Sequence, residues 1–173
     1  MPPYPRPIPG TYAPYFDAYI AQVPENDPVA VMEAQIPEFT AFVRAVPPAR
    51  LDWSYAPGKW TIMQIVGHLS DTERVMTYRA LRFARGDQAI PLPGFDENRW
   101  MPPADFGGRA TGSLLDEWVA VRRASIVLFA SLPAAARDLG GTASERPLSV
   151  RALAYLIPGH VRHHMGVIRE RYL

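Results

Sequence analysis

Four stretches of this 173-residue chain carry apolar residues in alternating steps of three and four, the period of one helix face. The first stretch opens with Asp27, a capping acid, and Pro28 at the first helical position, and Pro47 ends it. Its apolar seam consists of Val29, Met32, Ile36, Phe39, Val43 and Val46. Pro37 lies inside the pattern, so we expect a kinked helix.

The second stretch is predicted to be a helix that runs from a capping box to about Ala84. Thr61 and Gln64 form the box, and Gly86 is the stop signal. The seam consists of Ile62, Ile65, Leu69, Thr72 and Met76. His68 lies one residue from this seam.

The third and fourth stretches complete the pattern. The third helix starts near Ser113 and Pro133 closes it, while Ser149 caps a fourth helix that runs to the C-terminus. The third seam consists of Trp118, Val121, Ser125, Leu128 and Leu132, and the fourth of Leu153, Ile157, His160, His164 and Val167. Because no convincing strand or internal repeat accompanies them, the four amphipathic helices predict an all-α, four-helix bundle.

Two segments fall outside the helical pattern. Residues 86–112 show no period and contain several prolines and glycines, and a long loop of this kind is usually functional or a crossover. A crossover here would let the second and third helices run parallel. Residues 1–27 are rich in proline and aromatic residues. We therefore divide the chain into an N-terminal arm, 1–27, and a bundle, 28–173, and expect the arm to pack its tyrosines along the bundle rather than to dock a partner.

Composition excludes several classes of function. The chain has no cysteine, which rules out a disulfide scaffold, a thiolate zinc finger and a cysteine nucleophile. A formal net charge of +1 without a basic run argues against a nucleic-acid partner. No apolar stretch approaches the roughly 20 residues that span a bilayer, and no signal-peptide pattern opens the chain. We predict a cytoplasmic protein with no membrane partner.

The histidines carry the strongest chemical signal. His160 and His164 occupy seam positions, where a buried imidazole without partners costs roughly 1–3 kcal/mol. Side chains four residues apart on a helix share one face, so both can reach one metal ion. Among the four histidines, His68 is the one distant from this cluster and is the candidate third ligand. Pairing His160 with His163 is the alternative, although His163 falls to the flank and is expected to face out.

Three neutral imidazoles with open positions describe a catalytic type of metal site. Imidazole suits zinc, nickel, copper and iron alike, so the ligands do not single out the metal. A bundle without metal, whose histidines are hydrogen-bonded in the core, is the competing hypothesis.

Carboxylates near the histidines are candidates for supporting roles. Asp96 and Glu97 on the long loop are weak candidates for a general base, and either is otherwise a solvated surface charge. Asp71 or Glu73, which follow His68, could orient a ligand through a hydrogen bond. Phe95 and Trp100 on the same loop could line a substrate pocket.

Two motifs resemble a known family. Residues 56–73, Ala-Pro-Gly-Lys-Trp-Thr-Ile-Met-Gln-Ile-Val-Gly-His-Leu-Ser-Asp-Thr-Glu, resemble the second-helix signature of the DinB-like superfamily. Residues 159–168, Gly-His-Val-Arg-His-His-Met-Gly-Val-Ile, resemble its closing helix. The resemblance covers about residues 28–173. Pro158 and Gly159 depart from the family pattern and predict a kink or restart before His160.

The resemblance implies an up-down-down-up four-helix bundle, often a homodimer. It also implies a divalent metal, commonly nickel or zinc, on three histidines, which match His68, His160 and His164. Relatives include thiol S-transferases that use bacillithiol or mycothiol, glutathione-dependent isomerases and metal-dependent hydrolases. We therefore expect a metal-dependent enzyme, a thiol S-transferase or hydrolase, acting on a small molecule such as a low-molecular-weight thiol. A non-catalytic metal-binding module, stress-related or serving interaction, is the alternative.

Overall fold

Four long helices dominate the computed structural model, which describes residues 4–173. The helices are α1 (Asp17–Ile20), α2 (Pro28–Arg44), α3 (Pro48–Leu51), α4 (Ile62–Ala84), α5 (Glu97–Ala104), α6 (Thr111–Ser131), α7 (Ala134–Arg137) and α8 (Val150–Arg171). Two single turns of 3-10 helix lie at Pro14–Phe16 and Phe106–Gly108, and the strands β1 (Gly140–Ala143) and β2 (Arg146–Ser149) pair antiparallel. The predicted four-helix bundle is confirmed, with α2, α4, α6 and α8 as its members.

The long helices begin where their capping residues predict. The Asp27 side chain accepts hydrogen bonds from two backbone N–H groups of α2, and Thr61 and Gln64 form the capping box of α4. Ser149 caps α8 by accepting from a backbone N–H. The prolines inside α2 and α8 end neither helix, so α8 runs without a restart through Pro158.

The helices α4 and α6 run parallel. Thr111 at the start of α6 contacts Met63 at the start of α4, and the hydroxyl groups of Ser125 and Thr77 lie 3.0 Å apart farther along both helices. Both contacts join residues separated by 48 positions, and a constant separation of this kind occurs only between parallel helices. The region between the two helices is therefore a crossover connection, as its length predicts.

The helix α8 runs antiparallel to α4. Near the middle of both helices the ring nitrogens of His68 and His160 lie 3.2 Å apart. Toward the end of α8, the Tyr172 hydroxyl donates to the backbone carbonyl of Trp60, just before α4 begins. Residue numbers therefore rise along α8 as they fall along α4.

The helix α2 runs antiparallel to α6 and so completes the topology. The Phe39 ring packs on the Trp118 ring with centroids 4.6 Å apart, while Gln35 accepts a hydrogen bond from Arg122. Numbers again rise on one helix as they fall on the other. The order is therefore up-down-down-up.

A polar layer crosses the bundle between two apolar clusters. One cluster contains α4 from Met76 onward and α8 as far as Ile157, and the other contains α4 as far as Leu69 and α8 from Val161. The layer between them consists of Gln35, Glu73, Arg122 and His160, one residue from each long helix. A polar layer inside a bundle is costly unless its members bond to one another.

Arg122 makes most of the bonds in this layer. Its guanidinium group is fully buried and donates to Glu73 Oε2 from Nε at 3.1 Å and from Nη2 at 2.9 Å. Its Nη1 donates to Gln35 Oε1 at 2.7 Å, and Gln35 Nε2 donates to the Pro158 carbonyl at 2.9 Å. The chain of bonds joins all four long helices.

The buried face of α6 differs from the predicted seam. Arg122 and Phe129 are buried where the apolar pattern indicates Val121 and Leu128, both of which are partly exposed. The error has a physical cause, because a pattern of apolar residues cannot register an arginine whose charge is paired in the interior.

The region 86–112 and the segment after α7 contain structure that the sequence pattern does not predict. Helix α5 and a 3-10 turn lie within 86–112, and Leu92 bridges to Ala143 of β1. The hairpin turn places Ser144 and Glu145 at positive φ, +51° and +61°, as a two-residue type I′ turn requires. Asn and Gly are the usual residues there, so the sequence carries no hairpin signal.

The arm packs on the bundle through part of its described length: Tyr4 and Tyr12 are buried, whereas Tyr15 is 61% exposed. Pro2 and Pro3 lie outside the described residues. Tyr4 is buried, and its hydroxyl donates to the Phe129 carbonyl at 2.7 Å. The Tyr155 hydroxyl in turn donates to the Tyr4 carbonyl at 2.9 Å.

Within residues 4–173, no helix has the length and hydrophobicity needed to cross a bilayer.

The backbone of Tyr19 in the arm packs directly on Gly159 of α8, and this contact leads to a stability prediction. An added Cβ would lie 2.0 Å from the backbone oxygen of Tyr19, so Gly159→Ala must displace the arm. We expect a loss of about 1–3 kcal/mol in the free energy of unfolding, measured by urea denaturation.

Gly166→Ala is the matched control, because Gly166 lies in the same helix with no atom within 4 Å of an added Cβ. This substitution should raise stability by up to about 1 kcal/mol, since alanine favours helix over glycine. Equal effects of the two substitutions would contradict the close packing of α1 on α8.

Candidate metal centre

Three imidazoles converge where α4 faces α8. The Nε2 atoms of His68 and His164 lie 3.2 and 3.0 Å from Nε2 of His160. All three ligand atoms lie within 4.8 Å of one another. The antiparallel packing of α4 and α8 brings His68 to the pair on α8, whose members are one helical turn apart. The structure therefore brings together the three histidines that the sequence singles out.

The donor set fits a metal ion. Two nitrogens that each lie about 2.0–2.1 Å from a tetrahedral zinc ion are about 3.3 Å apart, close to the two short distances here. A neutral imidazole carries one N–H, and three Nε2–H groups facing one another could not all be bonded. Three Nε2 lone pairs directed at one cation remove this conflict.

Burial keeps these imidazoles neutral. It lowers the pKa of His68 from its ordinary 6.5 to about 4 and that of His164 to about 3. The pKa of His160 is also well below its ordinary value, first because of burial and then because of the neighbouring histidines. Neutral imidazole is the form that binds metal, so the site keeps its ligands in the required state.

The surroundings orient the His68 ring more firmly than the His164 ring. Thr72 Oγ1 lies 3.3 Å from His68 Nδ1, and the Trp60 ring packs on His68 with centroids 4.6 Å apart. Within residues 4–173, the buried Nδ1 of His164 has no hydrogen-bond partner. The group that positions His68 is therefore Thr72, one turn farther along the same helix.

The carboxylates expected to orient a ligand lie elsewhere. Asp71 forms an ion pair with Arg74, and Glu73 binds Arg122. Within the described chain, neither makes a hydrogen bond to a histidine. The sequence could have suggested Thr72, since it follows His68 by four residues, but the expectation favoured a charged partner.

His163 lies outside the three-nitrogen cluster, yet it does not simply face the solvent. Its ring packs against Tyr19 of the arm with centroids 5.1 Å apart, and both residues line the cavity above the centre. The expectation that His163 faces out is wrong because the arm covers this flank of α8. The same arm residue also contacts His160, with ring centroids 5.6 Å apart.

A cavity of about 420 Å³ opens above the three histidines. Its floor is formed by α4 and α8, and its walls come from the arm, the region 86–112 and the hairpin. Wall residues that the sequence reasoning did not assign to the site are Tyr15, Phe16, Tyr19, Ser144 and Arg146. This volume is within the range of small-molecule sites.

The loop residues proposed for the site separate into two groups. Phe95 and Glu97 line the cavity, as expected of a loop that covers the centre. Asp96 instead caps α5 by accepting two backbone N–H bonds, and Trp100 stacks on Phe95 from outside the cavity, with centroids 4.8 Å apart. Of the two acids, Glu97 is therefore the one that lines the cavity above the histidines.

Comparison with known proteins gives a family and a fold. The family model of the DinB superfamily matches residues 32–168. A protein of Oceanobacillus iheyensis, named provisionally as a metal-dependent hydrolase, is 36% identical over 50 residues, which is 29% of this chain and 28% of that protein. The matched segment is thus well under two thirds of that relative.

A solved structure shares the fold. YfiT from Bacillus subtilis, described provisionally as a metal-dependent hydrolase with an unusual four-helix bundle topology, superposes with a TM-score of 0.71. The sequence identity is 21%, and the alignment covers 83% of this chain and 82% of YfiT. At this identity the likeness supports the bundle topology alone.

The lowered pKa values generate a prediction for the chain without metal. The folded-state pKa values of His68 and His164 lie below 6.5, so the unfolded chain takes up protons first as the pH falls. Their contribution to stability is complete above about pH 6.5 and is lost as the pH falls toward about 4. Urea denaturation in excess chelator should show a lower free energy of unfolding at about pH 5 than at about pH 7.5.

Glutamine substitutions assign this effect to the histidines. His164→Gln should reduce the difference between the two pH values, whereas His163→Gln, whose side chain lies outside the three converging nitrogens, should leave it largely unchanged. The same pH difference in all three proteins would show that other groups cause it.

Proposed function

Because this chain belongs to the DinB superfamily, we propose that it binds one divalent metal ion, nickel or zinc, through His68, His160 and His164 and acts as a metal-dependent hydrolase. The observation that carries the proposal is the convergence of three Nε2 atoms within 4.8 Å at the floor of a cavity. The names of the two similar proteins, both of which mention metal-dependent hydrolysis, support the reaction class.

The residues of the chain have separable roles in this proposal. When bound, a divalent ion supplies a Lewis acid that acidifies water and polarises a carbonyl group. Thr72 and Trp60 hold the ring of His68 in its ligating orientation. Tyr19 closes one side of the centre against His160 and limits the access of bulk water.

The cavity favours an enzyme over a non-catalytic metal-binding module. A structural site is closed by its protein ligands, whereas three protein ligands below an open space leave a position for substrate. Glu97 lies on the cavity wall and is the carboxylate within the reacting space, so it is our candidate for moving a proton.

Metal binding provides the first test. Titration of chelator-treated protein with Zn²⁺ or Ni²⁺ should give one site per chain, and His160→Ala should weaken binding by more than about a hundredfold. That loss exceeds what the removal of a neighbouring hydrogen bond typically costs. The control is His163→Ala on the same helix, which should keep the affinity of the unmodified chain.

Equal affinities of the His160 and His163 variants would contradict the assignment of ligands. A chain that binds neither metal would contradict the proposal as a whole.

Turnover provides the second test. The metal-loaded protein should hydrolyse members of a panel of ester and amide substrates, and both chelation and His164→Ala should abolish the activity. The panel should include a low-molecular-weight thiol with an electrophile, because the family resemblance also implies S-transferases. Hydrolysis that survives His164→Ala would place the reaction away from the three histidines.

A further inference from the structure

We infer that the cavity has a second recognition point, formed by Arg79 and Arg146, which binds the carboxylate group of the substrate. The inference rests on the proposed function, since it assigns the opposite end of the same substrate to the three histidines. Both arginines line the cavity together with His68, His160 and His164.

Arg79 is a buried cation without an acidic partner. Its side chain lies in the interior, with the residue only 2% exposed, and among residues 4–173 no carboxylate lies within ion-pair distance of it. Burial lowers its pKa, and no nearby acid opposes that shift. Arg122, the comparably buried arginine of the polar layer, is paired with Glu73. An unpaired buried charge is costly, and a ligand anion would supply the missing partner.

The hydrogen bonds of Arg79 hold it in place and leave donors free. Nη2 donates to the Pro93 carbonyl at 3.0 Å and to Ser144 Oγ at 2.8 Å. Nη1 reaches only the sulfur of Met76 at 3.8 Å, and within the described chain Nε makes no hydrogen bond. A guanidinium group has five N–H donors in a fixed plane, so this arrangement retains the capacity to bind a carboxylate.

One face of α4 connects the two ends of the cavity. His68, Thr72, Met76 and Arg79 follow one another at intervals of four, four and three residues, and all four line the cavity. Eleven residues of helix rise about 16 Å, so the backbone of Arg79 lies well away from the backbone of His68 along the cavity floor. The spacing suits an extended molecule that touches both ends.

Arg146 adds a second positive charge from the hairpin. It is exposed on β2, stacks over the Tyr15 ring at 4.7 Å from the centroid, and has no ion pair within residues 4–173. Two arginines and Glu97 give the cavity wall two positive charges against one negative charge. In the chain without metal, this net charge of one matches a carboxylate better than a phosphate dianion.

The walls between the two ends are aromatic. Tyr15, Tyr19 and Phe95 face the cavity, and the stack on Trp100 holds Phe95 in position. Aromatic walls favour an apolar segment in the ligand. The substrate class is therefore a carboxylic acid whose apolar segment separates the carboxylate from the bond that is hydrolysed.

Binding of simple anions tests this inference without relying on turnover. The full chain, treated with chelator, is titrated with phenylbutyrate and with its uncharged amide, and binding is followed by protein NMR. The carboxylate should bind about tenfold more tightly than the amide, as expected for a hydrogen bond to a charged group. Arg146→Gln, which changes an exposed side chain, should remove most of this preference, and so should Arg79→Gln if the variant folds.

Arg123→Gln is the matched control, since Arg123 is exposed on α6 and does not line the cavity. This variant should keep the full preference. If Arg79 had only a structural role, Arg79→Gln would lower stability without affecting the preference for the carboxylate. Arg146→Gln decides whether the arginines bind the carboxylate, because Arg146 is exposed and its substitution leaves the buried interior unchanged.

Three results would overturn the inference. The first is equal binding of acid and amide, or no binding of either. The second is a carboxylate preference that survives Arg146→Gln, and the third is phenylpropyl phosphate binding more than about tenfold tighter than the carboxylate. Failure of the proposed function would look different, because a chain that takes up no metal could still show the carboxylate preference. Repeating the titration with metal present separates anions held by the arginines from anions held at the histidines.

Discussion

The buried guanidinium group of Arg122 constrains how the four long helices meet. Its bonds to Glu73 and Gln35, and the bond from Gln35 to the Pro158 carbonyl, form one polar chain between the two apolar clusters. Removing one partner of a buried pair typically costs about 3–5 kcal/mol, so the chain of bonds penalises any shift of one helix along another. The bond to the Pro158 carbonyl holds α8 two residues before His160. It thereby fixes the position of His160 along the bundle axis.

The candidate metal centre depends on this alignment. A shift of one turn between α4 and α8 would displace His68 by about 5 Å along the helix axis relative to His160, too far for a shared ion. The walls of the cavity come from segments outside the bundle: Tyr19 from the arm, Glu97 from the region 86–112 and Arg146 from the hairpin. The bundle thus supplies the ligands, and the added segments shape the space in which a substrate would lie. In general, one scaffold can carry different reactions when the segments around its site differ.

The four helices and the three histidines could be predicted from the sequence because their signals are local. Caps such as Thr61 mark the helix ends, and two histidines in an apolar seam are conspicuous. The parts that could not be predicted depend on contacts distant in sequence. From sequence alone, Arg122 is expected on the surface, because the buried ion pair with Glu73 is not visible there. Ser144 occupies a turn position at positive φ where Asn or Gly is usual, so the sequence does not indicate the hairpin. The contact between Tyr19 and His160 could not be predicted from the sequence of the arm, since it joins residues far apart in the chain.

The coordination of a bound ion shows whether His68, His160 and His164 hold the metal together. X-ray absorption spectroscopy of the zinc- or nickel-loaded chain reports the number and type of ligands around the metal. The three converging Nε2 atoms predict three imidazole nitrogens at about 2.0–2.1 Å from zinc, with the remaining positions filled by oxygen. A spectrum with one imidazole or none, in a chain that binds one metal ion, would contradict the account.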